Sequence, residues 1–181
     1  MKKVTLLIPV YNEEAMLPTL YQRLIELINR NSTYAWEILF INDGSSDRTL
    51  DVIRQLRQTD SRVNFVNLSR NFGKEIAMLA GFDYTTGDCC VVMDADLQDS
   101  PDEIPELYRM ITEEGYDLVS GWKKKRYDPL SKTIPTKLFN ATARKFSGIT
   151  NLHDFNCGLK AYKNIVIKNI EVYNDMHRYI P

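Results

Sequence analysis

The sequence predicts an α/β fold: a mostly parallel central sheet with helices on both faces. Three observations lead there. Short β-branched apolar runs alternate with segments of helical periodicity, the signature of a sheet covered on both sides. A polar cluster follows each of the first four runs, as expected where loops cross the carboxyl edge of such a sheet. The chain has 181 residues, 44% of them hydrophobic, enough to bury the core of one domain.

The first apolar run, Val4 to Val10, reads as a buried strand. Tyr11-Asn12-Glu13-Glu14 interrupts it. A helix is predicted from about Ala15 to Arg30, with Leu17, Leu20, Leu24, Leu27 and Ile28 on one side. Glu37 to Ile41 is the second strand, closed by the turn-rich Asn42-Asp43-Gly44-Ser45-Ser46-Asp47, which ends in good N-cap residues. Leu50, Ile53, Leu56 and Arg57 belong to a second helix. Val63 to Leu68 is a third strand, Lys74 to Tyr84 a third helix and Asp88 to Met93 a fourth strand. The four polar clusters at 11–14, 42–47, 69–74 and 94–99 should meet on one sheet edge.

Composition excludes several classes. The hydrophobic content is too high for a disordered tail, and a formal net charge of −1 argues against a general nucleic-acid binder. Cys89, Cys90 and Cys157 make no CxxC pair, which points to a reducing compartment. No apolar run approaches the ~18 residues of a membrane span, and Pro9, Asn12 and Glu13 break any N-terminal signal sequence. GxGxxG, GxxxxGK[ST] and GxSxG are absent, and two histidines make a His-rich zinc site an unsuitable expectation. The charge is uneven: residues 120–145 carry eight basic side chains and one acid, a net +7, leaving −8 for the rest. Leu130, Ile134 and Leu138 recur there at helical spacing, so the segment suits an anionic membrane surface or a phosphate-bearing acceptor as well as a plain solvated face.

Chemistry concentrates in a few places. Asp94 and Asp96 directly follow the fourth strand, where two carboxylates reach one site and repel unless a cation lies between them. Mg²⁺ or Mn²⁺ bridging protein oxygens to a diphosphate is the natural partner, with Gln98 as a neutral oxygen ligand. Asp99, Asp102 and Glu103 read instead as the acidic first turn of a helix around Ser100-Pro101. Asp43 suits either a base edge or ribose, or an Asx turn before Gly44. Pro9 and Tyr11 could pack a nucleobase or merely end the strand. Lys74 fits a phosphate or a solvated position. Asp154, between Leu152 and Phe155, suits a general base, though a structural hydrogen bond is the commoner role for such a residue. Cys157 reads as a packed small hydrophobe.

Taken together and in order, Pro9-Val10-Tyr11-Asn12-Glu13-Glu14, Asn42 to Asp47, Ser69-Arg70-Asn71-Phe72-Gly73-Lys74-Glu75, Asp94-Ala95-Asp96-Leu97-Gln98-Asp99 and Asp154-Phe155-Asn156-Cys157-Gly158-Leu159 resemble glycosyltransferase family 2 over nearly the whole chain. The similar branch contains dolichyl-phosphate mannose synthase and bacterial undecaprenyl-phosphate sugar transferases. The resemblance implies a GT-A fold over 1–181, with a nucleotide-sugar and metal half at 1–99 and an acceptor half at 100–181 containing the basic segment 120–145. It implies an inverting, metal-dependent transfer of a hexose from a UDP- or GDP-sugar to a polyprenyl phosphate. By the same resemblance, Pro9, Tyr11, Asn12, Glu13 and Asp43 hold the nucleoside, and Lys74 lies near the donor. Asp94, Asp96 and Gln98 hold Mg²⁺ or Mn²⁺ and the diphosphate. Lys123 and Lys132 lie near the acceptor phosphate, Lys123 standing where relatives often carry arginine, and Asp154 occupies the position of a proposed base. The implied setting is the cytoplasmic face of a membrane, without nucleic acid and with room for self-association. The chain reads as a catalytic domain cut before membrane-inserted helices. Two alternatives stay open on the sequence: a family 2 transferase that extends a saccharide, and a non-catalytic nucleotide-sugar-binding module.

Overall fold

The computed structural model describes residues 3–122 and 157–169. Strand β1 is Lys3–Val10, helix α1 Leu17–Arg30, strand β2 Ala35–Asn42 and helix α2 Thr49–Thr59. Strand β3 is Val63–Asn67, helix α3 Lys74–Tyr84 and strand β4 Cys89–Val92. A 3-10 turn at Pro101–Glu103 leads into helix α4, Ile104–Thr112. Strand β5 is Leu118–Ser120, strand β6 Lys160–Lys163 and the one-turn helix α5 Asn164–Ile167.

The strands form one sheet in the order β3-β2-β1-β4-β6-β5. β3, β2, β1 and β4 are parallel, while β6 runs antiparallel to both β4 and β5. The expected mostly parallel sheet is therefore present, with an antiparallel extension at one side. Register alternates the burial. Val4, Leu6, Ile8, Ile38 and Phe40 meet α1, α2 and α4 on one face; Leu7, Leu39, Ile41 and Val92 meet α3 and α5 on the other. Helices thus cover both faces, as predicted. α1 buries Leu17, Leu20, Leu24, Leu27 and Ile28, the five residues of its predicted stripe. Pro18 follows its first residue, where the missing N–H costs nothing.

The acidic turn before α4 differs in one detail from expectation. Ser100 caps it, its hydroxyl accepting the Asp102 N–H, so Asp99 precedes the turn where the sequence placed it within, while Asp102 pairs with Arg30 of α1. Asp99 is buried and faces Gly158. At the sheet centre Cys89 and Cys90 are free and buried, and burial pushes the Cys89 thiol up to about 12.

Asp60 ties three elements together at the end of α2. It accepts two hydrogen bonds from Arg62 Nε and Nη2, at 2.9 and 2.7 Å, and one from the Tyr21 hydroxyl of α1 at 2.9 Å. The Arg62 guanidinium holds the Asp60 carboxyl down at about 2, with the Arg62 N–H and Tyr21 adding to it against the cost of burial. A carboxyl depressed on folding stabilises the protein above its unfolded range and loses that contribution as pH falls toward its folded value. Asp60→Asn should lower urea stability at pH 6 by on the order of 2 kcal/mol. That difference should close as pH falls from about 4 to about 2. A difference that stays constant across this range would contradict the assignment.

Candidate active site

Four loops converge over the carboxyl ends of the parallel strands, as the positions of the polar clusters implied. They line a cavity of about 300 Å³. β1 and its loop contribute Pro9, Val10, Tyr11 and Glu13; the loop after β2 gives Asp43; the loop after β3 and the start of α3 give Asn71, Gly73 and Lys74; the loop after β4 gives Asp94, Ala95 and Asp96. The cleft straddles β1 and β4, where the strand order reverses, and ligands bind at this point of open α/β sheets.

Local chemistry explains the convergence. The first two loops are knitted together: the Glu13 N–H donates to Thr49 Oγ1 at 2.8 Å, the Ser46 N–H to Asn12 Oδ1 at 2.8 Å and the Asn12 N–H to Ser45 Oγ at 2.9 Å. Asn12 adopts φ 56°, a left-handed conformation that asparagine tolerates. Asn12 therefore shapes the loop and does not line the cavity. The loop after β2 is joined to the third loop by Asp43. Its buried carboxylate accepts the Phe72 N–H at 2.8 Å and the Gly73 N–H at 2.9 Å. The Asx turn weighed for Asp43 is thus not its principal bond; it anchors a neighbouring loop while still lining the cavity. Gly44, at φ 64°, lies against that loop so closely that a Cβ would sit 2.3 Å from the Arg70 carbonyl carbon.

The acidic loop after β4 turns sharply at Leu97, whose φ of 57° is unusual for a bulky side chain and costs about 1–2 kcal/mol. That turn aims the Gln98 N–H at Asp96 Oδ1, 3.0 Å away. The Gln98 side chain is exposed and does not line the cavity. Asp94 Oδ1 is closed to water, and the Lys74 ammonium meets it in a contact ion pair. On its other side Asp94 meets Gly158. The β4–β6 register pairs Val92 with Lys160, so two residues further on Gly158 comes opposite Asp94. A Cβ on Gly158 would lie 2.6 Å from Asp94 Oδ2 and 3.1 Å from Asp99 Oδ2.

The cavity is electronegative. Burial raises the Glu13 carboxyl above its ordinary value, and the Asp96 and Asp47 carboxylates push it the same way. Lys74 is the one cationic side chain among the described residues lining the cavity. No cluster of three or more His, Cys, Asp or Glu side chains is arranged to hold a metal among the described residues. Asp94 and Asp96 nevertheless fit a hard divalent cation that draws its remaining oxygens from a ligand and water. Two carboxylates follow one strand into an electronegative cavity whose lining, among the described residues, offers a single ammonium to balance them.

Seven residues anticipated from sequence, Pro9, Tyr11, Glu13, Asp43, Lys74, Asp94 and Asp96, come together here. Lys123, Lys132 and Asp154, and most of the basic segment 120–145, lie outside the described residues. Gly158 and Asn71 belonged to recognisable motifs without an assigned role. The role of Gly158 follows only from the antiparallel pairing of β6 with β4. No described helix is long and apolar enough to cross a membrane.

Residues 5–170 match the family model for Glycosyl transferase family 2. The undecaprenyl-phosphate 4-deoxy-4-formamido-L-arabinose transferase of Photorhabdus laumondii is 34% identical over 99% of this chain and 55% of its own length. The protein of the same name from Salmonella choleraesuis is 36% identical over 99% of this chain and 54% of its own. The chain thus spans about half the length of the curated relatives it matches. Among solved structures, the mannosyltransferase PcManGT from Pyrobaculum calidifontis, in complex with GDP-Man and Mn²⁺, superposes with a TM-score of 0.64 at 19% identity, covering 91% of this chain and 45% of that one. That likeness establishes the GT-A fold.

Proposed function

The chain belongs to glycosyl transferase family 2, and on that premise we propose that it transfers a sugar from a nucleotide-activated donor to a polyprenyl phosphate at the cytoplasmic face of a membrane, with inversion at the anomeric carbon. One observation carries the reading: four loops at the carboxyl edge bring Tyr11, Asp43, Lys74, Asp94 and Asp96 to one cavity, which also has apolar lining from Pro9, Val10 and Ala95. The polyprenyl-phosphate acceptor follows the names of the relatives. Their sugar is an L-arabinose derivative, whereas the sequence pointed to a hexose, so a donor panel must hold both kinds.

Pro9 and Tyr11 offer flat apolar surface and a phenolic hydroxyl to a nucleoside. Asp43 has lone pairs beyond the two that hold the third loop. Asp94 and Asp96 would hold Mg²⁺ or Mn²⁺, which supplies Lewis-acid neutralisation of the leaving diphosphate when bound. Lys74 brings a further positive charge to the same group. A phosphate acceptor is already anionic near neutral pH, so positioning and electrostatics supply the acceleration and no strong base is needed. The +7 segment at 120–145 provides charge for an anionic membrane surface.

Titrating UDP- and GDP-sugars by calorimetry with Mg²⁺ or Mn²⁺, then assaying transfer to a short polyprenyl phosphate, tests the proposal. Binding and transfer are expected. Failure to bind either nucleotide class refutes the donor site, and binding without transfer refutes the acceptor. Asp154→Asn should keep transfer within about tenfold of wild type, because a phosphate nucleophile needs no deprotonation. A loss of about a thousandfold would make Asp154 a general base and shift the acceptor to a sugar hydroxyl.

A further inference from the structure

Asp94 is paired with a cation that belongs to the protein. Its Oδ1 is closed to water and is held in a contact ion pair with the Lys74 ammonium. The two ends of Lys74 differ in freedom. Its backbone opens α3 directly after Gly73, and the Asp43 carboxylate fixes that loop through the Phe72 and Gly73 N–H groups. Its side chain is 49% exposed, a flexible four-carbon stem carrying a point charge. The root is clamped by the loop, while the ammonium is held by the Asp94 ion pair alone among the contacts described.

We infer that Lys74 is a placeholder cation: it neutralises Asp94 while the donor site is empty, gives up that carboxylate to a divalent cation and turns to the donor diphosphate. The inference rests on the donor-site reading above. The charge balance supports it. Glu13, Asp43, Asp94 and Asp96 share the cavity with Lys74 as its one cationic side chain among the described residues. Without Lys74 the empty site would hold close carboxylates with nothing between them. A divalent cation on the same Asp94 oxygen would lie within a few ångströms of the ammonium, and two cations so placed repel. An incoming diphosphate offers the ammonium an equally charged partner. Cation and diphosphate then bind cooperatively, because the diphosphate removes the cation's competitor.

The test measures Mn²⁺ binding to the whole chain by electron paramagnetic resonance, with and without UDP or GDP. Wild type is compared with Lys74→Met, and with Lys74→Gln should the first variant melt early. Deleting the competitor should tighten binding of Mn²⁺ alone by about two- to fivefold, the scale of one exposed ion pair. The same variants should show weaker coupling between nucleotide and metal. The gain should shrink at high salt without vanishing, because a partly buried contact pair is screened less than a distant charge. Equal or weaker binding of Mn²⁺ alone in the variants overturns the inference, as does a gain that vanishes in high salt. If wild type binds no Mn²⁺ even with nucleotide present, the donor-site reading fails and takes the inference with it.

Discussion

At the donor site proposed above, Gly158→Ala should weaken productive donor binding sharply and leave the fold standing. The added Cβ would lie 2.6 Å from Asp94 Oδ2, 2.9 Å from Asp94 Cγ and 3.1 Å from Asp99 Oδ2. Each is a side-chain atom, so Asp94 can rotate away and the sheet need not move. The cost falls on geometry: displacing a carboxylate by about 1 Å at a reacting centre is worth on the order of a hundredfold in kcat/KM. Initial rates with saturating and limiting donor, together with calorimetric diphosphate binding, measure it. Gly121→Ala is the control. Its Cβ would meet Cys157 Sγ at 2.9 Å and the Leu159 carbonyl at 3.3 Å, near the same strand and clear of Asp94. Both variants should melt somewhat earlier than wild type, and only Gly158→Ala should lose donor affinity. Wild-type affinity in Gly158→Ala would remove Gly158 from the site.

Gly44→Ala should be the more damaging change to stability. Its Cβ would lie 2.3 Å from the carbonyl carbon and 2.6 Å from the Cα of Arg70, and 2.6 Å from the Asn71 nitrogen. All three are backbone, so nothing nearby rotates out of the way. The φ of 64° adds the left-handed penalty of a side chain. We expect a loss of about 3–5 kcal/mol in urea denaturation, among the larger effects of a point substitution. Separation of the second and third loops should also break the bonds from Phe72 and Gly73 to Asp43, so any folded fraction should bind nucleotide weakly. A change under about 1 kcal/mol would show that the two loops are not packed as described.

The strand–helix alternation through β4 was legible because each signal is local. Buried parallel strands are uninterrupted apolar runs, and α1 repeats leucine on one side. Lys74 to Tyr84 was read as a helix and is one, opened by Gly73 and ended before the extended Thr85. The antiparallel extension was not anticipated, and for a physical reason. β5 has three residues and β6 four, and their identity as strands comes from pairing with β4 across a long stretch of chain. Site legibility divides in the same way. Carboxylates after strand ends announce themselves through residue type and position, so Asp94, Asp96 and Asp43 were found. Which oxygen meets which donor is a tertiary property. Asn12 reads as a ligand in its motif, yet it spends its amide oxygen on Ser46, and the Gln98 side chain is exposed next to the left-handed Leu97. Asp99 has the residue type of a cap, but the adjacent Ser100 takes that role and leaves Asp99 to the interior.

The antiparallel course of β6 also bears on the order of synthesis. Asp94 emerges from the ribosome well before Gly158, the residue that stands opposite it, and before the strand that covers the far edge of β4. A nascent chain that has completed β1 to β4 and the loop after it already contains the residues that line the cavity, but its acidic loop lacks Gly158 opposite it and β4 presents an unpaired edge. The far edge of β4 therefore stays unpaired until β6, the last of the described strands, has been made, and an open strand edge is a template for pairing with other chains.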